Sequence, residues 1–177
     1  MAEDDLSEHK LFENTTTREQ IIDVLLASLF SKCPREKEHS SRVSHISVRI
    51  AKQMGLSPET VETIRLAGVI HDIGKVAIDD GVLSSVSRYS SFAKDVLTHH
   101  EKWDGTGYPR GLKGDLIPLT ARIIAVADAF DAMLCERPYH KPMTLEEAKQ
   151  ELLRCSSTQF DPEIVSAFLK GFAEERV

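Results

Sequence analysis

Cysteine is scarce and unpatterned: Cys33, Cys135 and Cys155 are odd in number, far apart, and show no Cys-x-x-Cys spacing. Neither a disulfide framework nor a zinc finger follows from such usage, and the three read as reduced thiols in a cytosol. Long hydrophobic runs are missing too. The best candidate, Ile21 to Phe30, is short and interrupted by Asp23, so no membrane span is expected. The acidic start, Met1-Ala-Glu-Asp-Asp, lacks the basic flank of a signal peptide, and a cytoplasmic location is the expectation. An excess of positive charge is also absent: 22 Lys and Arg stand against 28 Asp and Glu, for a formal net charge of -6. That balance excludes a nucleic-acid polymer as the expected partner, because polyanion binding leans on dense Lys and Arg. A small phosphate ligand stays compatible, since bound metal ions and a few local cations make one pocket positive inside an acidic protein.

What is present is enough apolar material for one core: 41% of the 177 residues are hydrophobic, which suits a single ordinary domain. Residues 1–16 are polar and acidic and read as a flexible tail before a domain spanning 17–177. A first helix is expected from about Arg18 to Ser31, stopped by Pro34. A second, about Glu36 to Met54, puts Val43, Ile46 and Ile50 on one stripe and closes at Gly55. Ser57-Pro58-Glu59 opens a third, which runs to His71-Asp72. A loop over about 79–91 precedes a fourth helix from about Phe92 to Trp103, and a glycine-rich loop covers 104–117. Pro118 begins a long apolar helix to about Cys135, Thr144-Leu-Glu-Glu147 is a capping box, and Asp161-Pro162-Glu163 starts the last helix. No segment alternates as a strand does. The expected fold is all-α, a bundle of about six to seven helices.

Ionisable residues in apolar surroundings are the informative feature. His39, His71-Asp72, His99-His100 and Asp128 fall on four different expected helices or their ends. His71 and Asp72 close an apolar stretch, Leu66-Ala-Gly-Val-Ile70, and Asp128 is embedded between Ile123-Ile-Ala-Val-Ala127 and Ala129-Phe130. Such groups are costly to bury unless paired or bound to metal. Singly, each has a plainer reading as a hydrogen-bonded core histidine or a capping aspartate. Jointly they favour a divalent metal site, since a helical bundle can converge such ligands on one interior point.

These residues carry a family resemblance. His39, then His71-Asp72 followed by Ile73-Gly74-Lys75, then Asp128, resembles the His…His-Asp…Asp signature of the HD metal-dependent phosphohydrolases. His99-His100-Glu101-Lys-Trp-Asp104-Gly-Thr-Gly107-Tyr108-Pro109, with Asp128-Ala-Phe-Asp131-Ala and Arg137-Pro138-Tyr139, resembles the HD-GYP subgroup. The resemblance implies an HD-domain-like helical bundle in which His39, His71, Asp72 and Asp128 hold one divalent metal. It implies that Asp72 bridges to a second metal bound also by His99 and His100, the ions being iron or manganese. The implied activity is hydrolysis of cyclic di-GMP to pGpG or GMP, with Asp72 and Lys75 as catalytic residues. Tyr108 and Pro109 then line the pocket, and Lys75, Arg137 and His140 meet phosphate oxygens.

Elementary chemistry agrees with these roles. A phosphodiester repels hydroxide, so metal ions are used to lower the pKa of water and to neutralise charge in the transition state. Lys75, three residues after Asp72, can stabilise charge developing on phosphorus, and Arg137 offers a planar fork for phosphate. Lys75 could equally cap its helix, and Arg137 could pair with Asp131.

Two departures from the family pattern stand out. Arg35 occupies the place of a usual Glu four residues before the first His, which argues against a third metal. The family also has a metal-binding His between the His-Asp pair and the double His, yet no histidine occurs from Asp79 to Thr98, and twenty-six residues separate Asp72 from His99. The segment is shortened, leaving Asp72, His99 and His100 as the second metal's protein ligands. Such a site should fill later and should weaken in acid as His99 and His100 protonate. Two rivals to a cyclic di-GMP phosphodiesterase follow: an HD phosphohydrolase acting on another nucleotide or phosphate ester, and a degenerate module that binds a cyclic dinucleotide or a protein without turnover. A regulatory protein partner is compatible with all three.

Overall fold

Helix starts in this chain are written in short polar and proline signals, as at Pro34, Ser57-Pro58, Pro118, Thr144 and Asp161-Pro162. The protein is represented by a computed structural model, which describes residues 24, 27, 30–31, 34–72, 93–136 and 141–173. The first expected helix is helical at residues 24, 27, 30 and 31. Its remainder, the tail over 1–16 and the expected loop over 79–91 lie outside the described residues, as do Lys75, Arg137 and His140.

Pro34 opens α1 (Pro34–Gln53), whose chain reverses at Gly55 with φ of +72°, a left-handed value that costs glycine little. Ser57 caps α2 (Pro58–Ile70) by accepting the Thr60 amide at 3.2 Å. A short α3 (Ala93–Leu97) follows, then a 3-10 turn at Gly114–Leu116 and the long α4 (Leu119–Leu134). Thr144 and Glu147 close the expected capping box at the start of α5 (Leu145–Arg154). Asp161 accepts the Glu163 amide at 2.8 Å to begin α6 (Pro162–Gly171). Among the described residues these six helices are joined by no strand, only an isolated bridge between Ser156 and Phe160, and no helix is long and apolar enough to cross a membrane.

The fourth expected helix is the one that differs: it ends at Leu97, not near Trp103. From there the amides of Thr98 and Glu101 bond back three residues, and Trp103 and Asp104 donate to the carbonyls of Gln159 and Thr158 instead of continuing the helix. The long-range backbone bonds outcompete the helical pattern.

α1 lies against α2, α4 and α6. Val43 and Ile50 of α1, Ile64 of α2, Ile123 and Ile124 of α4, and Phe168 of α6 are fully buried, each contributing about 1.5–3 kcal/mol of transfer free energy. α1 and α2 meet closely at Gly68, where a Cβ would sit 2.8 Å from the Ser44 Cα. Helices in such contact bring their polar residues equally near.

Candidate metal centre

That close approach puts His39, in the first half of α1, beside His71 and Asp72 at the end of α2. His39 Nε2 lies 3.6 Å from an Asp72 oxygen, and His71 Nε2 lies 3.4 Å from the same oxygen. α4 crosses the other side and presents Asp128, whose carboxylate is 3.3 Å from His39 Nε2. Ligand atoms of His39, His71 and Asp72 all lie within 4.8 Å of one another, and this is the one such set of three among the described residues. His99 and His100 follow α3 on the far side of His71. The His71 and His99 rings are 5.4 Å apart between centroids, and His99 and His100 are 3.9 Å apart.

The histidines are oriented from behind. His71 Nδ1 is held by the Gly68 carbonyl at 2.8 Å, and His99 Nδ1 by the Val96 carbonyl. Each carbonyl calls for a proton on Nδ1, which leaves the Nε2 lone pair free for a metal. Both Nε2 atoms are buried and have no hydrogen-bond partner. Orphaned buried acceptors are costly, and a cation between them removes the cost. Spacing agrees: ligands bonded to one ion at about 2.1 Å stand roughly 3.0–3.4 Å apart, close to the 3.3–3.6 Å found and longer than a good hydrogen bond. The donor set therefore fits a divalent metal.

Electrostatics separate the histidines. Burial opposes charge on His39, yet the carboxylates of Asp128, Asp131 and Asp72 raise it to about 11 without metal. Burial pushes His99 down to about 4, helped by the neighbouring His100 and His71. Burial works to raise Asp128, but His39 and His71 hold it below the ordinary carboxylate value.

Beside the histidines, the loop from 101 to 117 is tied down by Glu101. This residue is 4% exposed, and its two oxygens accept the Arg110 amide at 2.7 Å and the Leu112 amide at 3.1 Å. Gly107 passes so close that a Cβ would stand 2.3 Å from the Lys102 nitrogen. The loop delivers Tyr108, joined to Pro109 by a cis bond. Tyr108 is 61% exposed, and its ring is stacked on His100 at 4.8 Å.

His39, His71, Asp72 and Asp128 are thus neighbours. Asp72, His99 and His100 are not gathered into a comparable set here. Arg35 donates to the Glu136 carbonyl, and Glu38 lies 3.8 Å from Arg42, so neither takes the place of the usual glutamate. Asp131 pairs with His39 and Arg42, a partnership sequence reasoning missed. Its spacing of three from Asp128 on one helix face was the available signal. Glu101 was missed as a loop anchor, and nothing local marks it as one.

Comparison with known proteins follows the same lines. Residues 80–164 match the HD domain family. A cyclic di-GMP phosphodiesterase of Thermotoga maritima is 43% identical over 159 aligned positions, covering 75% of this chain and 43% of that protein. A 3'3'-cGAMP-specific phosphodiesterase 2 of Vibrio cholerae is 32% identical, covering 89% and 35%. The chain spans about two fifths of the length of the curated relatives it matches. In the Thermotoga alignment, 159 positions face about 133 residues, 75% of 177, so about 26 positions of the relative have no counterpart here. The fold is shared with a cyclic GMP-AMP specific phosphodiesterase of V. cholerae, at a TM-score of 0.64 and 21% identity over 78% of this chain and 44% of that one.

Proposed function

The chain belongs to the HD domain family, and on that premise we propose that it is a metal-dependent phosphodiesterase hydrolysing cyclic di-GMP to pGpG or GMP. The observation that carries this reading is the cluster of His39, His71 and Asp72, with ligand atoms within 4.8 Å of one another, in which His71 Nε2, like that of nearby His99, is buried without a hydrogen-bond partner. Relatives named as cyclic di-GMP phosphodiesterases support the substrate class.

In this reading His39, His71, Asp72 and Asp128 would hold one iron or manganese ion, and Asp72, His99 and His100 a second. When bound, such ions lower the pKa of water and neutralise charge gathering at phosphorus. The chain's own residues do the rest. The Gly68 and Val96 carbonyls keep the protons of His71 and His99 on Nδ1. Tyr108, backed by His100 and followed by Pro109, offers an exposed ring face to a guanine. Lys75, Arg137 and His140 are proposed as phosphate contacts. The domain is taken as 17–177 behind a tail over 1–16, in the cytoplasm and open to a regulatory protein partner.

The test is turnover by metal-stripped and reloaded protein, with pGpG and GMP resolved by chromatography and 3'3'-cGAMP run in parallel. Hydrolysis of cyclic di-GMP that needs manganese or iron and disappears in Asp72→Ala is the expected result. Metal bound with neither dinucleotide cleaved would favour a binding module. Cleavage of a simple phosphate ester alone would favour the wider phosphohydrolase class.

A further inference from the structure

We infer that Asp131, braced by Arg42, positions His39 for metal binding; the inference rests on the metal-dependent reading above. Asp131 lies one turn after Asp128 on α4 and is 3% exposed. One of its oxygens is 2.7 Å from His39 Nδ1. Arg42, one turn after His39 on α1, donates through Nε at 2.5 Å and through Nη2 at 3.1 Å to the two Asp131 oxygens. Arg42 also donates to the Cys135 sulfur at 3.2 Å.

His71 and His99 are aimed by carbonyls of their own turns, so their orientation comes with the local backbone. Among these three histidines, His39 is the one aimed by a side chain from a different helix. A carboxylate behind a ligating imidazole fixes its tautomer and strengthens the other nitrogen as a donor. Three carboxylates, Asp72, Asp128 and Asp131, surround His39. Arg42 offsets one of them by a forked contact, which keeps Asp131 in a supporting place instead of turning to the ion.

Manganese titration of stripped protein, read by the electron spin resonance of free ion, tests this without reference to activity. Asp131→Asn keeps the shape but loses the negative charge, and its one carbonyl oxygen cannot serve His39 Nδ1 and Arg42 Nε at once, so its manganese affinity should fall roughly tenfold to hundredfold. Arg42→Gln should lose several-fold, and Asp131→Glu should recover part of the loss. Glu38→Gln, which removes an exposed partner of Arg42 at 3.8 Å, should change nothing. Cobalt-loaded Asp131→Asn should also show a shifted visible absorption, which a purely structural role would not produce. Wild-type affinity in folded Asp131→Asn, with affinity lost in His39→Ala, overturns the positioning role alone. Wild-type affinity in His39→Ala overturns the metal reading itself. Should Asp131→Asn fail to fold, Arg42→Gln decides, and unchanged affinity there counts against the proposal.

Discussion

His39 sits among three carboxylates and carries a proton that a metal must displace. Raised from 6.5 to about 11, its imidazole is charged at pH 8 in metal-free protein. The associated stability is full below pH 6.5 and is lost as pH climbs through about 11. Coordination through Nε2 requires that proton to leave, so about one proton per first ion should be released at pH 8. Calorimetry in buffers of different ionisation enthalpy measures it, and zero release would remove His39 from the ligand set. His99 behaves oppositely. With its pKa pushed down to about 4 it is already neutral, so acid weakening through His99 belongs near pH 4. His39, His71, Asp72 and Asp128 were legible because ionisable groups inside apolar helical stretches need a reason. Asp131 was marked only by its spacing of three from Asp128, since its partners His39 and Arg42 lie across the bundle on α1.

The loop from 101 to 117 is the element whose role sequence conveyed least. Its glycines and prolines announce a loop, but the helix before it ends six residues short of Trp103, since nothing local reveals that Trp103 and Asp104 bond to the 158–159 backbone. Glu101→Gln leaves one loop amide facing a donor and should cost about 1–3 kcal/mol in thermal unfolding. Metal affinity should stay near wild type while KM for cyclic di-GMP rises, because Tyr108 hangs from that loop. A large fall in metal content would show that the loop supports the ions and not the nucleotide. Caps, by contrast, were read correctly. Thr144→Ala should cost about 1 kcal/mol by removing the cap of α5, with metal binding unchanged.

On the scale of the whole molecule, the candidate ligands come from α1, the end of α2, the turn after α3, and α4. An ion that binds them binds only the folded chain. Saturation at about one hundred times its Kd should stabilise by roughly 2.7 kcal/mol, or about 5–10 °C in Tm for a chain of this size. A chelator should reverse that shift. Activity on cyclic di-GMP should climb well after the first equivalent has bound, since the second set has fewer protein ligands; two equally tight ions would refute this. The helical class was legible from caps and apolar periodicity, which act locally. The inter-helix distances that decide coordination were not, because they depend on residues far apart in the chain.

Gly68 ties those scales together. Its missing Cβ sets how near α1 approaches α2, and its carbonyl aims His71. A methyl group there would meet the Ser44 backbone at 2.8 Å and drive His39 and His71 apart, at about 1–3 kcal/mol of overpacking. Position 68 is in this sense a gauge of ionic radius. Gly68→Ala should shift the preference of the centre toward larger ions, so that manganese competes better against zinc in the variant than in the parent.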